Sequence, residues 1–354
     1  MLKRIMKISL VCFVTAIVAL IMAAGVFLVS KSILGIDALG AERYTDIDAE
    51  DPDDMTSNDA QRMNFLLLGR DRSSGLCDVI MLVSYDTADR NVNVLQIPRD
   101  TYAEFTETSY KKLNGALGAL GGERELCAFL SESFGIRIDH YVSLDLDAVK
   151  EIVDALGGVE VNVPCDMRYS DAEQGLYIDI KAGKNMLDGD MAEKFVRFRS
   201  EYAEGDIGRM DAQKIFLAAL FNKLKNNASV FEIGSVAARI VPHVKTSLSL
   251  TEILPLVKQV LAVPSENIRL STLAGEGAVA KKSGASYYVI SRPSAIEQVR
   301  ELFGSDIDES GFDRKRLFLN EEYDEFVRIY SEGAEYTVYD VSYICREGIN
   351  IARK

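Results

Sequence analysis

The chain has 354 residues, 48% of them hydrophobic, and its 40 lysines and arginines against 54 aspartates and glutamates leave a formal net charge of −14. Length and apolar content fit one large domain or two ordinary ones with a sizeable core. A chain this acidic, with no basic tract after its first residues, argues against nucleic acid as a partner.

Lys3, Arg4 and Lys7 precede an uncharged apolar run over residues 8–30 that ends at Lys31. About 20 apolar residues cross the hydrocarbon core as a helix, so a single transmembrane helix is expected there. A cleaved signal peptide is the rival reading, but its apolar region is usually about 7–15 residues long. The run here is longer, and no clear small-x-small site follows it. The basic flank keeps residues 1–7 cytoplasmic and places the rest outside, which describes a single-pass protein of the cell membrane. Residues 31–62, acidic above all between 42 and 59, read as a solvated linker.

Short apolar runs at 64–68, 79–85 and 92–97 predict buried strands. A helix is expected over 122–134, a strand at 141–144, a helix at 148–156 and a strand at 159–163. Asp206 is placed to cap a long helix carrying Met210, Ile215, Phe216, Leu220 and Leu224. This alternation predicts an α/β fold, a mixed sheet with helices on both faces. Beyond about 310 the chain is polar, rich in Tyr and Glu, and gives no element. Cys12, Cys77, Cys127, Cys165 and Cys345 are spaced so that no disulfide is required.

Charged residues stand at the limits of the apolar strands: Asp71 after the first, Asp78 just before the second, Arg99 and Asp100 after the third. Each alone can be an ordinary solvated loop residue. Together they offer carboxylates for a hard cation such as magnesium, with an arginine beside them. In the stretch "VRFR", Arg197 and Arg199 alternate with Val196 and Phe198. An extended backbone would put both arginines on one side. Arg209 and Gln213, four apart at a helix start, share one helical face and a terminus that favours anions. The competing reading pairs these arginines with Glu201, Glu204 or Asp206. Other templates fail: "GRDRSSG" lacks the P-loop ending, His140 and His243 sit in no zinc pattern, and Ser73 or Ser74 lacks a nucleophile elbow. Cys77 reads as a packed small residue.

The ordered segments "NFLLLGRD", "CDVIMLVSYD", "LQIPRDTY", "KKLNGALGALGG", "GIRIDHYVSLD", "VDALGGVEVNVP", "AGKNMLDGDMAEKFVRFR" and "DIGRMDAQ" resemble the LytR-CpsA-Psr family of envelope enzymes. The similarity covers about residues 64–224 and continues more weakly to 303. It implies a magnesium-dependent phosphotransferase that moves a glycopolymer (teichoic acid, capsule or another wall glycan) from an undecaprenyl-pyrophosphate carrier to a peptidoglycan hydroxyl. By motif, it implies Asp71 and Asp78 as the magnesium carboxylates and one of the two as acceptor of the hydroxyl proton. It implies Arg99, Arg197, Arg199 and Arg209 as pyrophosphate ligands, with Gln213, Lys112 and Asn114 nearby. An apolar lipid site is expected along 116–130 and 216–224. The chain departs from the family at Ser73 and Leu76, where arginines usually stand. The catalytic domain is expected over 63–306, and 307–354 forms an extension. A lipid-carrier pyrophosphatase and a non-catalytic glycopolymer-binding or regulatory protein are the alternatives.

Overall fold

The computed structural model describes residues 62–70, 75–105, 111–145, 147–171, 176–203, 205–226, 239, 241–313, 317, 326–328 and 334–352. The expected transmembrane helix, the linker up to residue 61 and Asp71 lie outside the described residues. Among the described residues no helix is long and apolar enough to cross a membrane.

Three strands open the fold: β1 (Arg62–Arg70), β2 (Cys77–Asp86) and β3 (Asn91–Ile97). They pair antiparallel, β1 with β2 and β2 with β3. Their near-continuous apolar runs are what strands covered on both faces require. Helices α1 (Ala116–Leu120) and α2 (Glu123–Phe134) lead to β4 (His140–Asp145), which returns parallel to β1. After α3 (Asp147–Ala155) come β5 (Val159–Val163), β6 (Met167–Asp171), β7 (Leu176–Ile180) and β8 (Gly183–Leu187), with β5 paired to β8 and β6 to β7. Next are α4 (Gly189–Arg197), α5 (Asp206–Asn226), β9 (Val244–Thr246), α6 (Leu250–Leu261) and β10 (Ile268–Thr272), the last parallel to β3. The chain closes with β11 (Gly275–Ala280), β12 (Ser286–Ile290), α7 (Arg292–Phe303), β13 (Phe326–Arg328), β14 (Val338–Asp340) and α8 (Val341–Glu347).

The main sheet runs β14-β10-β3-β2-β1-β4-β9, mixed in direction as expected. The pleat sends Phe65, Leu67, Met81 and Val83 to one face, where Ile152, Phe195, Phe216 and Leu220 cover them. Leu66, Leu68, Ile80 and Leu82 point to the other, under Leu126, Phe129, Leu130 and Val299. Helices therefore pack on both faces. This corrects the expected lipid site: the helices at 116–130 and 216–224 lie on opposite sides of the sheet and cannot line one tunnel.

Residues 334–352, which gave no pattern in the sequence, are built into the fold. β14 extends the sheet edge on β10, and Ser271 Oγ donates to the Thr337 carbonyl at 2.8 Å. The Ala203 amide donates to the Ala352 carbonyl at 2.9 Å. Gly208, in the first turn of α5, allows this approach. A Cβ there would stand 2.7 Å from Tyr202 Cβ and 3.1 Å from the Ile351 side chain. Gly208→Ala is therefore expected to lower stability by about 1–3 kcal/mol through overpacking. Urea unfolding measures this, and an unchanged midpoint would show that the segment does not press on the helix.

Candidate active site

One edge of the main sheet gathers the charged strand ends. β1, β3, β4 and β10 finish there, while β2, β9 and β14 begin. The register pairs Arg70 with Cys77 and with Asp145, Ile97 with Ile80, Thr272 with Gln96, and Val338 with Ser271. Residues scattered from 70 to 338 thus share one rim, the usual place for ligands in open α/β sheets.

At its centre lies a buried ion pair. Asp78, the second residue of β2, is 6% exposed, and Arg99, just past β3, is 5% exposed. Arg99 Nη1 donates to Asp78 Oδ1 at 2.6 Å. Burial works against the Arg99 charge, but Asp78, Asp206 and Asp100 outweigh it and push its pKa up. Arg209, in the first turn of α5, is 2% exposed and donates Nη2 to Asp206 Oδ2 at 2.8 Å. Its pKa is pushed down, first by burial, which Asp206 opposes and Arg99 and Arg199 reinforce. These mutual influences place Arg99, Arg199, Arg209, Asp78 and Asp206 in one electrostatic cluster.

The cluster has donors to spare. The Nε atoms of Arg99 and Arg209 are buried with no hydrogen-bond partner among the described residues. A buried donor left unsatisfied costs about 1–3 kcal/mol, so such groups call for an acceptor. Arg199 is half-buried and makes no ion pair among the described residues. Arg99, Arg199 and Arg209, with Lys112 beside them, outnumber Asp78, Asp206 and Asp100 by one charge, an excess suited to a multi-oxygen anion.

Other expected residues sit differently. "VRFR" is not extended: Arg197 is the last residue of α4, and the chain leaves the helix at Phe198 (φ −66°, ψ 140°). Asp188 caps that helix by accepting from the Met191 amide at 2.8 Å, and Ala192, Phe195 and Val196 are buried at helical spacing. That upstream signal overrides the two-residue alternation. Arg197 consequently bonds back to Glu193 on its own helix, and Glu193 also holds Lys150 at 2.8 Å. The competing reading holds in part, since Arg209 does pair with Asp206. Asp78 is not a loop residue before the strand but lies inside β2. Gln213 is fully buried; its Nε2 donates to the Val196 carbonyl and its Oε1 accepts from Gln96, both at 3.1 Å. It ties α4, α5 and β3 together beneath the arginines. Lys112 Nζ donates to Asp100 Oδ1 at 3.0 Å, and the buried Asn114 donates its backbone amide to the Arg99 carbonyl at 3.0 Å.

Of the two expected magnesium carboxylates only Asp78 is described, and its hard oxygen donors suit such a cation. No group of three or more His, Cys, Asp or Glu side chains placed to hold a metal occurs among the described residues. Cys77 is fully buried, and burial pushes its thiol up to about 12, so it is a packed residue and no nucleophile.

Two features of the rim left no sequence signal. His243 Nδ1 lies 2.8 Å from Asp145 Oδ1 at the end of β4. A cleft of about 750 Å³ opens beside Asp100 and Asp206, and its far wall includes Glu335, Tyr336, Tyr339 and Ile351. Only the folded chain brings these separate segments together.

An α/β sheet with a buried cluster of arginines and aspartates along one rim defines the class. The chain belongs to the LytR_cpsA_psr family, whose sequence pattern matches residues 32–303. It is similar to the polyisoprenyl-teichoic acid–peptidoglycan teichoic acid transferase TagV of Bacillus subtilis (strain 168), 29% identical over 238 residues. That stretch is 66% of this chain and 60% of TagV, less than two thirds of the relative's length. The transferase of the same description TagU from Bacillus mycoides (strain KBAB4) is 30% identical over 245 residues, 68% of this chain and 76% of TagU. The crystal structure of B. subtilis TagV matches with a TM-score of 0.57 at 25% identity, covering 73% of this chain and 99% of that one.

The Arg99–Asp78 pair generates a stability prediction. Asp78→Ala leaves a buried guanidinium unpaired and is expected to cost about 3–5 kcal/mol. Adding Arg99→Met should recover much of that loss, because the uncompensated charge goes with it. Thermal unfolding of the single and double variants makes the comparison. A silent Asp78→Ala would show that the pair is not closed in solution.

Proposed function

We propose that the chain is a membrane-anchored phosphotransferase. It moves a wall glycopolymer from an undecaprenyl-pyrophosphate carrier to a hydroxyl of peptidoglycan outside the cell, held to the membrane by residues 8–30. The observation that carries this reading is the buried arginine cluster with unused Nε donors, which matches the oxygen-rich, doubly charged centre of a pyrophosphate diester. The similarity to TagU and TagV, polyisoprenyl-teichoic acid–peptidoglycan teichoic acid transferases, supports the same donor and acceptor classes.

In the proposed reaction, the acceptor oxygen forms a new bond to the polymer-linked phosphorus. The bond from that phosphorus to the bridging oxygen breaks, and polyprenyl phosphate leaves. The acceptor proton passes to a carboxylate. Asp78 orients the Arg99 guanidinium through their ion pair, and the proton-accepting carboxylate is one of Asp71 and Asp78. Asp71 and Asp78 would hold magnesium, which when bound neutralises charge on the phosphate oxygens. Arg99, Arg199 and Arg209 bind the pyrophosphate and meet the charge that builds on the leaving oxygen, so positioning and electrostatics carry the catalysis. Lys112 neutralises Asp100 beside Arg99, and Gln213 fixes the helix that bears Arg209. Arg197, bonded to Glu193, supports the approach to Arg199.

The full chain in detergent micelles, given a lipid-pyrophosphate donor, peptidoglycan and magnesium, should yield polymer covalently bound to peptidoglycan. Free phosphorylated polymer without the linkage would identify a pyrophosphatase, and no turnover at all would leave a binding or regulatory protein. Arg199→Lys keeps the charge but loses the planar fork, so donor affinity or turnover should fall about tenfold or more. Stability should stay near that of the parent, because Arg199 supports no ion pair among the described residues. Lost stability with unchanged affinity would overturn its role as a ligand.

A further inference from the structure

Between β1 and β2 the ladder keeps register from Arg62 opposite Asp86 to Gly69 opposite Val79, then passes over Asp78 and sets Arg70 opposite Cys77. Two residues of β2 therefore face one of β1, which is a β-bulge, a feature that re-aims side chains beside active sites. Side-chain packing shows the same break. Val79, Met81 and Val83 fill one face of the sheet, while Cys77, Ile80 and Leu82 fill the other. Cys77 and Val79 are two apart, so in a plain strand they would share a face. Unbroken pairing would also set Asp78 directly opposite Arg70, on the face with Leu68, where opposite charges on neighbouring strands pair with each other. The bulge separates them. Arg70 turns to Glu123, 3.7 Å away, and Asp78 turns to Arg99 at 2.6 Å.

Cys77 fills the place that the bulge takes from Asp78. It is fully buried, in the cluster that holds Leu66, Leu68, Leu126 and Leu130. A small neutral thiol packs there as a hydrophobe, whereas a carboxylate needs a partner to be tolerated. Burial above all pushes that thiol up to about 12, with Arg70 opposing and Asp78 adding, so it stays uncharged beside the carboxylate. We infer that the bulge aims the Asp78 carboxylate for its part in the reaction, and that Cys77 is the positioning residue that holds the bulge. Cys77 is closed off from any substrate and acts through Asp78. The inference rests on the transferase reading of the rim and adds how one of its carboxylates is placed.

The test uses the full chain in detergent micelles, with farnesyl-pyrophosphate-linked N-acetylglucosamine, peptidoglycan and magnesium as substrates and thermal unfolding as a second measurement. Cys77→Ala leaves a gap beside the bulge, and turnover should fall about tenfold to a hundredfold, the scale of a misplaced reacting group. Cys77→Ser, closer in size, should restore most of that turnover. In an Asp78→Asn background Cys77→Ala should lower turnover no further, because the carboxylate it positions is gone. Farnesyl pyrophosphate alone, held also by Arg199 and Arg209, should still bind every one of these variants. Asp78→Ala should lower the unfolding midpoint less in the Cys77→Ala chain than in the parent, since the pair with Arg99 is already loosened there. Turnover that falls equally with and without the Asp78 carboxylate, or does not fall at all, would overturn the positioning role. So would equal drops in midpoint in the two chains. A parent that neither turns over nor binds farnesyl pyrophosphate overturns the transferase reading instead, and the midpoints then decide whether Cys77 holds the ion pair.

Discussion

The salt bridge between Arg99 and Asp78 is the constraint around which the rim is organised. Two opposite charges at the limits of neighbouring strands are buried together, and neither is tolerable there alone. A pair of well-packed apolar residues would serve stability as well or better. What the ion pair adds is a guanidinium fixed in place, with one nitrogen committed to Asp78 and its Nε left over. The sheet register brings that fork to the same edge as the end of β1, while Gln213 links β3 to the helix that carries Arg209. Scaffold and ligand site are continuous.

Charge within this cluster is set by short-range partners and not by the chain as a whole. At physiological salt, fields between exposed charges fade over about 8 Å, so the net −14 acts weakly across the molecule. Within the rim, burial removes that screening. Arg209 shows the effect: burial and two neighbouring arginines depress its pKa while Asp206 works the other way. Under the proposed function, an anion at Arg99, Arg199 and Arg209 would relieve the mutual repulsion of the three and satisfy the spare Nε donors of Arg99 and Arg209 in one step. An acidic protein can in this way offer a local positive site without a broad basic surface.

The sequence was readable where physics is local. Strands buried on both faces must be apolar throughout, so β1, β2 and β3 stood out, with ends within one or two residues of those observed. The helix at Glu123–Phe134 and the long helix from Asp206 were legible through periodicity and flanking glycine or aspartate. Failures came where a longer-range signal won. "VRFR" has the alternation of a strand, but Asp188 starts a helix eight residues before Val196 and carries it through Arg197. Gln213 shares a helical face with Arg209, yet that pattern cannot say that its amide is used on both ends by Val196 and Gln96. β14 is three residues long, too short for a period, and owes its strand conformation to the edge of β10. The cleft wall was invisible for the same reason, since its residues come from six separate segments.

The C-terminal segment also bears on how the two ends of the rim communicate. Ile351 and Tyr202 close on Gly208, the residue directly before Arg209, and Ala352 is bonded to the loop that follows Arg199. A ligand that presses on Tyr336 or Tyr339 therefore acts on a segment packed against the first turn of the arginine-bearing helix. A close-packed contact of this kind yields little without shifting its neighbours. The C-terminal segment and the position of Arg209 are therefore tied through one packed contact. Glycine at 208 sets how tightly that connection is drawn, because any side chain there would hold the segment and the helix apart.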